Sequence, residues 1–272
     1  MASANGSFFR LVSLSFPTAV LGILATFAVA NGHLSHSRCQ AAPAGNDAAE
    51  SVAGQGAESR LRRIKIVLVG ASTMTDEAGW GAGFARRLKP EAVCVNCARS
   101  GRSSKNYFGE GWWKKALDER PDYVLIQFGN NDQPGKGPDR ETDPKTTYPE
   151  NMGRYVDEAR AAGARPVFVT SLVRRQFDSD GKIHSSLTPY VEAVKRVAAE
   201  KHVPMIDMHT LSWQLHEKLG PEASRKFNRT KPGDAEEHLD KTHLSPEGAD
   251  IVGQIVADEL KKAVPELLPY VK

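Results

Sequence analysis

The sequence predicts an α/β fold, a parallel sheet covered by helices on both faces. Two observations lead there. Five short runs are apolar almost throughout rather than alternating, at 64–69, 92–95, 123–128, 166–170 and 203–207. Between them stand segments with helical patterning. Near-continuous apolar strands separated by helices belong to sheets buried on both sides. In such sheets ligands meet the chain just beyond the carboxyl ends of the strands, so those loops are where chemistry is expected.

Each element has its own reason. Ile64-Lys65-Ile66-Val67-Leu68-Val69 reads as a buried strand ending at Gly70. Trp80, Phe84 and Leu88 repeat at i, i+4 and i+8 and make one helical stripe. Ala92-Val93-Cys94-Val95 and Tyr123-Val124-Leu125-Ile126-Gln127-Phe128 supply the second and third strands. Residues 148–162 and 187–201 carry charge on one face and Ala, Val, Leu or Tyr on the other, around the fourth strand, Pro166-Val167-Phe168-Val169-Thr170. The fifth run is Val203-Pro204-Met205-Ile206-Asp207. The last helix opens on Ser245-Pro246, a cap residue followed by proline at the first helical position, and runs to about Ala263.

The chain has 272 residues and a net charge of +3, with no long basic block, so nucleic acid is not an expected partner. Arg10 precedes an apolar stretch from Leu11 to Ala30 that closes on Ala28-Val29-Ala30. This is the pattern of a secretory signal peptide over residues 1–30, with an uncleaved anchor as the alternative reading. Residues 31–62 are rich in Ala, Gly, Ser, Asn and Gln and read as a disordered spacer. The folded domain is expected over 63–272, in an extracytoplasmic setting and off the membrane once the leader is cleaved. Cys94 and Cys97 form a C-x-x-C, but no second such pair or nearby histidine pair completes a metal set. They read as a buried strand thiol with a small neighbour, or as a local disulfide.

Four loops carry the chemistry. Gly70-Ala71-Ser72-Thr73 follows the first strand, and Ala98-Arg99-Ser100-Gly101-Arg102-Ser103-Ser104 follows the second. Gly129-Asn130-Asn131-Asp132 follows the third, and Asp240-Lys241-Thr242-His243 precedes the last helix. Ser72 is not in a G-x-S-x-G elbow, because Met74 stands at the second glycine. A serine hydroxyl needs a base, and His243 can take its proton. Asp240, three residues earlier, can hold the other ring nitrogen and fix the tautomer. The N–H groups of Ser72 and Gly101 and the amide of Asn131 are candidate oxyanion donors. Each piece is also an ordinary turn or surface sequence, and the weight lies in the order and placement of all of them.

These residues resemble the SGNH (GDSL-type) hydrolases, whose four markers match Ser72, Gly101, Asn131 and His243, with Asp240 as the acid. Gly-x-Ser-Thr-Met, Ser-Gly-Arg-Ser-Ser, Gly-x-Asn-Asp-Gln-Pro and Asp-x-Thr-His-Leu-Ser-Pro-x-Gly-Ala resemble the rhamnogalacturonan acetylesterase-like branch, carbohydrate esterase family 12. The resemblance spans about residues 63–264. It implies a flavodoxin-like, three-layer α/β/α sandwich around a five-stranded parallel sheet. It also implies a serine acetylesterase that acts on acetylated polysaccharide or oligosaccharide, pectic or xylan-type, with no cofactor and no metal. Two positions depart from the family pattern. Ala71 stands where the family has aspartate, and Asn130 where histidine is frequent. By analogy with a lost cap, the alanine is expected to cost roughly 0.5–2 kcal/mol, about 2- to 30-fold in rate.

Three further readings complete the expectation. Arg102, Arg140, Arg174 and Arg175 are candidates to bind uronate carboxylates, and Trp112 and Trp113 to stack on sugar rings. Asn228-Arg229-Thr230 is a glycosylation sequon. Competing functions are a lipase, thioesterase or acyltransferase of the same fold, or a non-catalytic glycan-binding relative, for which Ala71 would be the reason.

Overall fold

Five parallel strands pair in the order β2-β1-β3-β4-β5. They are β1 (Ile64–Gly70), β2 (Ala92–Asn96), β3 (Tyr123–Gln127), β4 (Arg165–Val169) and β5 (Met205–Ile206). The computed structural model describes residues 61–230 and 239–272. The expected leader over 1–30, and the expected spacer apart from its last two residues, lie outside them. Of the helices, α1 is Gly81–Ala85, α2 Asn106–Gly109, α3 Trp112–Asp118 and α4 Thr147–Ala161. They are followed by α5 (Thr188–Glu200), α6 (Met208–Ser224) and α7 (Pro246–Ala263).

The side-chain period of two sorts each central strand between two cores. Ile64, Ile66 and Leu68 of β1 and Leu125 of β3 face Trp80, the residue before α1, Phe84 of α1, and Val252 and Val256 of α7. Val67 of β1 and Val124 and Ile126 of β3 face Tyr107, Trp113, Met152, Tyr155 and Val194, from α2 to α5. Helices therefore cover both faces, and the three-layer sandwich expected from the sequence is the fold. Its strand order is the flavodoxin-like one, with the switch point between β1 and β3.

Two features outside the sheet hold the last of the four loops and the helix behind it. A short antiparallel pair, β6 (Asn228–Arg229) and β7 (Asp240–Leu244), carries Asp240 and His243 and leads into α7. The Ser245 hydroxyl caps that helix by accepting the Gly248 N–H at 3.0 Å. On the other side α1 crosses α7 glycine on glycine. A side chain at Gly83 would run into the Ala249 carbonyl, and one at Gly253 into the Gly83 backbone. Cys94 and Cys97 are free thiols packed against different cores, so the local disulfide does not form here.

Candidate active site

The carboxyl ends of β1 and β3 are braced by a buried side chain between them. Gln127 Oε1 accepts the Thr73 hydroxyl at 3.0 Å and the Trp80 indole N–H at 3.3 Å, while its Nε2 donates to the Thr170 carbonyl at 2.9 Å. This ties the turn after β1 to β3 and to the end of β4. Its trace in the sequence is slight, one polar residue in an otherwise apolar strand, and no role is expected of it there.

Ser72 opens a single 3-10 turn, Ser72–Met74, with Ala71 buried and extended before it. The turn closes through backbone: Met74 N–H reaches the Ala71 carbonyl at 3.1 Å, and the Ser72 carbonyl accepts the Thr75 N–H at 3.2 Å and the Thr75 hydroxyl at 2.9 Å. The carboxylate missing at position 71 is thus not needed to form the turn.

Opposite, Asp240 uses its two oxygens for two tasks. Oδ1 accepts the N–H groups of Thr242 and His243, both at 2.9 Å, which closes the loop on itself. Oδ2 meets His243 Nδ1 at 2.5 Å. A three-residue separation is what lets one carboxylate do both. His243 Nε2 then lies 2.7 Å from Ser72 Oγ. With an anion at Nδ1, that nitrogen carries the ring proton and Nε2 turns its lone pair to the serine hydroxyl. Burial works against the Asp240 charge, but the bonds from the His243 N–H, its imidazole and the Thr242 N–H outweigh it and hold the group below the usual carboxylate range.

The oxyanion candidates sit on two neighbouring turns. Gly101 has φ +78°, a conformation that favours glycine, in the loop whose Cys97 and Arg99 N–H groups bond the Leu68 and Gly70 carbonyls of β1. Asn131 Nδ2 donates to the Arg102 carbonyl at 2.9 Å, joining the turn after β3 to that loop and leaving its second N–H available. Among the described residues, the Ser72 and Gly101 N–H groups donate no hydrogen bond within the protein.

Fully buried Asp132 fastens this corner. It accepts the Ser104 N–H at 3.0 Å, the Ser104 hydroxyl at 2.5 Å, the Thr142 hydroxyl at 3.1 Å and the Gly129 N–H at 2.9 Å. Burial outweighs these bonds and pushes its carboxyl up to about 6. Because the folded-state value is raised, folding favours the proton, and stability is lost as pH climbs from about 4 through 6. Wild-type stability relative to an Asp132→Asn variant is therefore expected to fall by about 2–3 kcal/mol between pH 4 and pH 7. Urea denaturation across that range measures it, and a pH-independent difference would refute the assignment.

A cleft of about 760 Å³ opens over Ser72, Asn131, Asp240 and His243, with Asn130, Gln133, Lys136, Arg174, Gln176 and Tyr190 among its other walls. Arg174 lies against Gln133 Oε1 at 2.7 Å and Ser186 Oγ at 3.0 Å. Neither Arg174 nor Lys136 contacts a carboxylate among the described residues. The five other proposed substrate contacts, Arg102, Arg140, Arg175, Trp112 and Trp113, do not line this cleft, and Arg175 instead turns beneath the Asp240–His243 loop to the His243 carbonyl. Arg102 folds back onto Glu110 at 2.7 Å. Trp112 donates to the same carboxylate at 2.8 Å, with Arg99 and Lys115 over its ring. Arg140 lies in a turn closed on the Gly137 carbonyl. Trp113 is core, bonded to Glu158. Asn228 of the sequon is buried with its amide oxygen taken by Arg175, so it is no surface acceptor.

Known proteins resemble this chain in sequence and in fold. The model of the GDSL-like lipase/acylhydrolase family matches residues 51–251. The chain is 35% identical to the rhamnogalacturonan acetylesterase RhgT of Bacillus subtilis (strain 168), over 73% of this chain and 90% of that one. It is 31% identical to the probable rhamnogalacturonan acetylesterase YesY of the same organism, over 72% and 92%. Among solved structures it is similar to Axe2, an acetylxylan esterase from Geobacillus stearothermophilus, with a TM-score of 0.55 at 16% identity, covering 73% of this chain and 94% of that one. The last likeness concerns the fold. With a family model matching most of its length, and with relatives at this identity, the chain belongs to the GDSL-like lipase/acylhydrolase family.

Proposed function

We propose that the protein removes acetyl groups from an acidic, pectic-type polysaccharide through a Ser72-His243-Asp240 acyl-enzyme mechanism. The observation that carries this is the unbroken relay from Asp240 Oδ2 through His243 to Ser72 Oγ, facing a polar cleft walled by Arg174 and Lys136. Ser72 Oγ attacks the acetyl carbonyl while His243 Nε2 takes its proton. The oxyanion is met by the N–H groups of Ser72 and Gly101 and by the Asn131 amide. His243 returns the proton to the departing sugar oxygen, leaving acetyl-Ser72. A water, deprotonated by His243, then releases acetate.

The walls of the cleft support this choice of substrate class. Among the described residues no Leu, Ile, Val, Met or Phe lines the cleft, which argues against a long acyl chain. Two cations without a carboxylate partner among the described residues suit uronate groups better than a neutral xylan. The relatives named rhamnogalacturonan acetylesterases support the same choice, and the leader expected at residues 1–30 would place the enzyme where such polymers occur. The test is acetate release from acetylated rhamnogalacturonan and acetylxylan, with nitrophenyl acetate and octanoate alongside. Release is expected with preference for the acidic polymer and for acetate. No acetate from any of these substrates would defeat the proposal, and a preference for octanoate would move it to a lipase.

Arg174→Gln is expected to raise KM for the acidic polymer by about 10-fold while leaving kcat/KM for nitrophenyl acetate within a factor of two. Equal losses on both substrates would show that Arg174 supports the cleft without reading the substrate.

A further inference from the structure

Arg174 and Arg175 are neighbours with opposite fates. Arg174 turns to the cleft, whereas Arg175 is 2% exposed and points under the loop that carries Asp240 and His243. Its Nη2 donates to the His243 carbonyl at 2.5 Å and to the Asp240 carbonyl at 3.4 Å. Its backbone N–H bonds the Lys241 carbonyl at 3.0 Å. Its Nε donates to Asn228 Oδ1 at 2.6 Å, on the strand that pairs with β7. One residue therefore grips three of the four positions from Asp240 to His243, entirely through main-chain oxygens.

We propose that Arg175 is the positioning residue of the relay: it fixes the Asp240–His243 loop so that Nε2 stays within bonding distance of Ser72. This inference rests on the reading of Ser72, His243 and Asp240 as the catalytic groups. Arg175 touches none of the reacting atoms. Its charge sits in a place where burial lowers the guanidinium to about 10, relieved in part by the Asp240 charge. Among the described residues Nη1 has no hydrogen-bond partner, and neither does Nε2 of the buried His216 nearby. A guanidinium kept under such conditions has a use that a smaller apolar residue would not serve, and the carbonyls it holds identify that use. Lysine could donate to one or two of these oxygens, but it lacks the planar fork that reaches Asn228 and the loop together.

The experiment compares wild type, Ser72→Ala, Arg175→Ala and Arg175→Lys on nitrophenyl acetate, with folding checked by circular dichroism and thermal melting. Arg175→Ala is expected to lose about 10- to 100-fold in kcat, with KM within a factor of two. Added guanidinium ion at tens of millimolar is expected to restore at least part of the loss. If Arg175→Ala does not fold, Arg175→Lys decides by the same kcat and KM criteria. A folded variant that keeps kcat within tenfold, or whose loss is carried by KM, overturns the positioning role while Ser72→Ala still reports the site. A wild type that hydrolyses no ester, or a Ser72→Ala that hydrolyses equally well, sinks the site reading and the positioning role with it.

Discussion

Ser72→Ala is expected to lower kcat on nitrophenyl acetate by a factor on the order of 10⁴–10⁶ with the fold intact. Among the described residues the 2.7 Å contact with His243 is the serine's only side-chain bond, and the turn around it is closed by backbone and by Thr75. Removing the hydroxyl therefore deletes the proposed nucleophile and nothing that holds the loop. Steady-state kinetics with a melting curve as control measure this. A variant that melts normally and retains a tenth of the activity would mean that another group attacks the ester.

Asp240→Asn is expected to cost on the order of 10³–10⁴ in kcat with a small change in KM. Asparagine has one acceptor oxygen where aspartate has two, so the loop N–H groups and the imidazole must compete for it. If the amide nitrogen meets Nδ1, the ring proton moves to Nε2 and the histidine faces Ser72 as a donor, which is the wrong tautomer for a base. The variant also loses stability, and the sign of its pH dependence follows from the lowered carboxylate. Folding favours the ionised form, so the contribution is complete above an ordinary value near 3.9 and fades as pH falls through the lower folded-state value. Full activity in Asp240→Asn would remove the carboxylate from the mechanism.

What could be read from the sequence depended on how each residue is buried. β1 and β3 lie between two cores, so their runs are apolar on both faces and stood out at once. α7 announced itself through Ser245-Pro246, a cap residue followed by proline at the first helical position. α6 did not, because His209, Ser212 and His216 occupy buried positions where a period search looks for aliphatic residues. The short helices α2 and α3 give too few turns for a period to register. The fifth strand shrinks from the expected 203–207 to Met205–Ile206 because Pro204 has no N–H to give, while Asp207 is spent capping α6 through the Thr210 N–H.

The site divides in the same way. Ser72, Asn131, Asp240 and His243 were legible because strand ends and the start of the last helix converge on one cleft. Arg102, Trp112 and Arg140 were chosen by residue type alone, and local partners or turns keep them off its walls. Arg174 was chosen by the same criterion and does reach the cleft, while Lys136, not singled out, reaches it through a loop whose course no periodicity encodes. Gln127, Asp132 and Arg175 act by bracing backbone, and a linear sequence does not show which carbonyls and N–H groups a side chain will meet.

The glycine crossing of α1 and α7 sets a limit for anyone wishing to harden this protein for industrial use. Replacing helix glycines by alanine is a routine stabilising substitution, because it restricts the unfolded chain. Gly83 and Gly253 look like candidates in the sequence but lie where the helices touch backbone to backbone. α1 follows the nucleophile turn and α7 follows His243, so spreading that contact by the width of a methyl group would move the base away from the serine. Thermostability has to be sought elsewhere on the surface, and these two positions are best left out of any library.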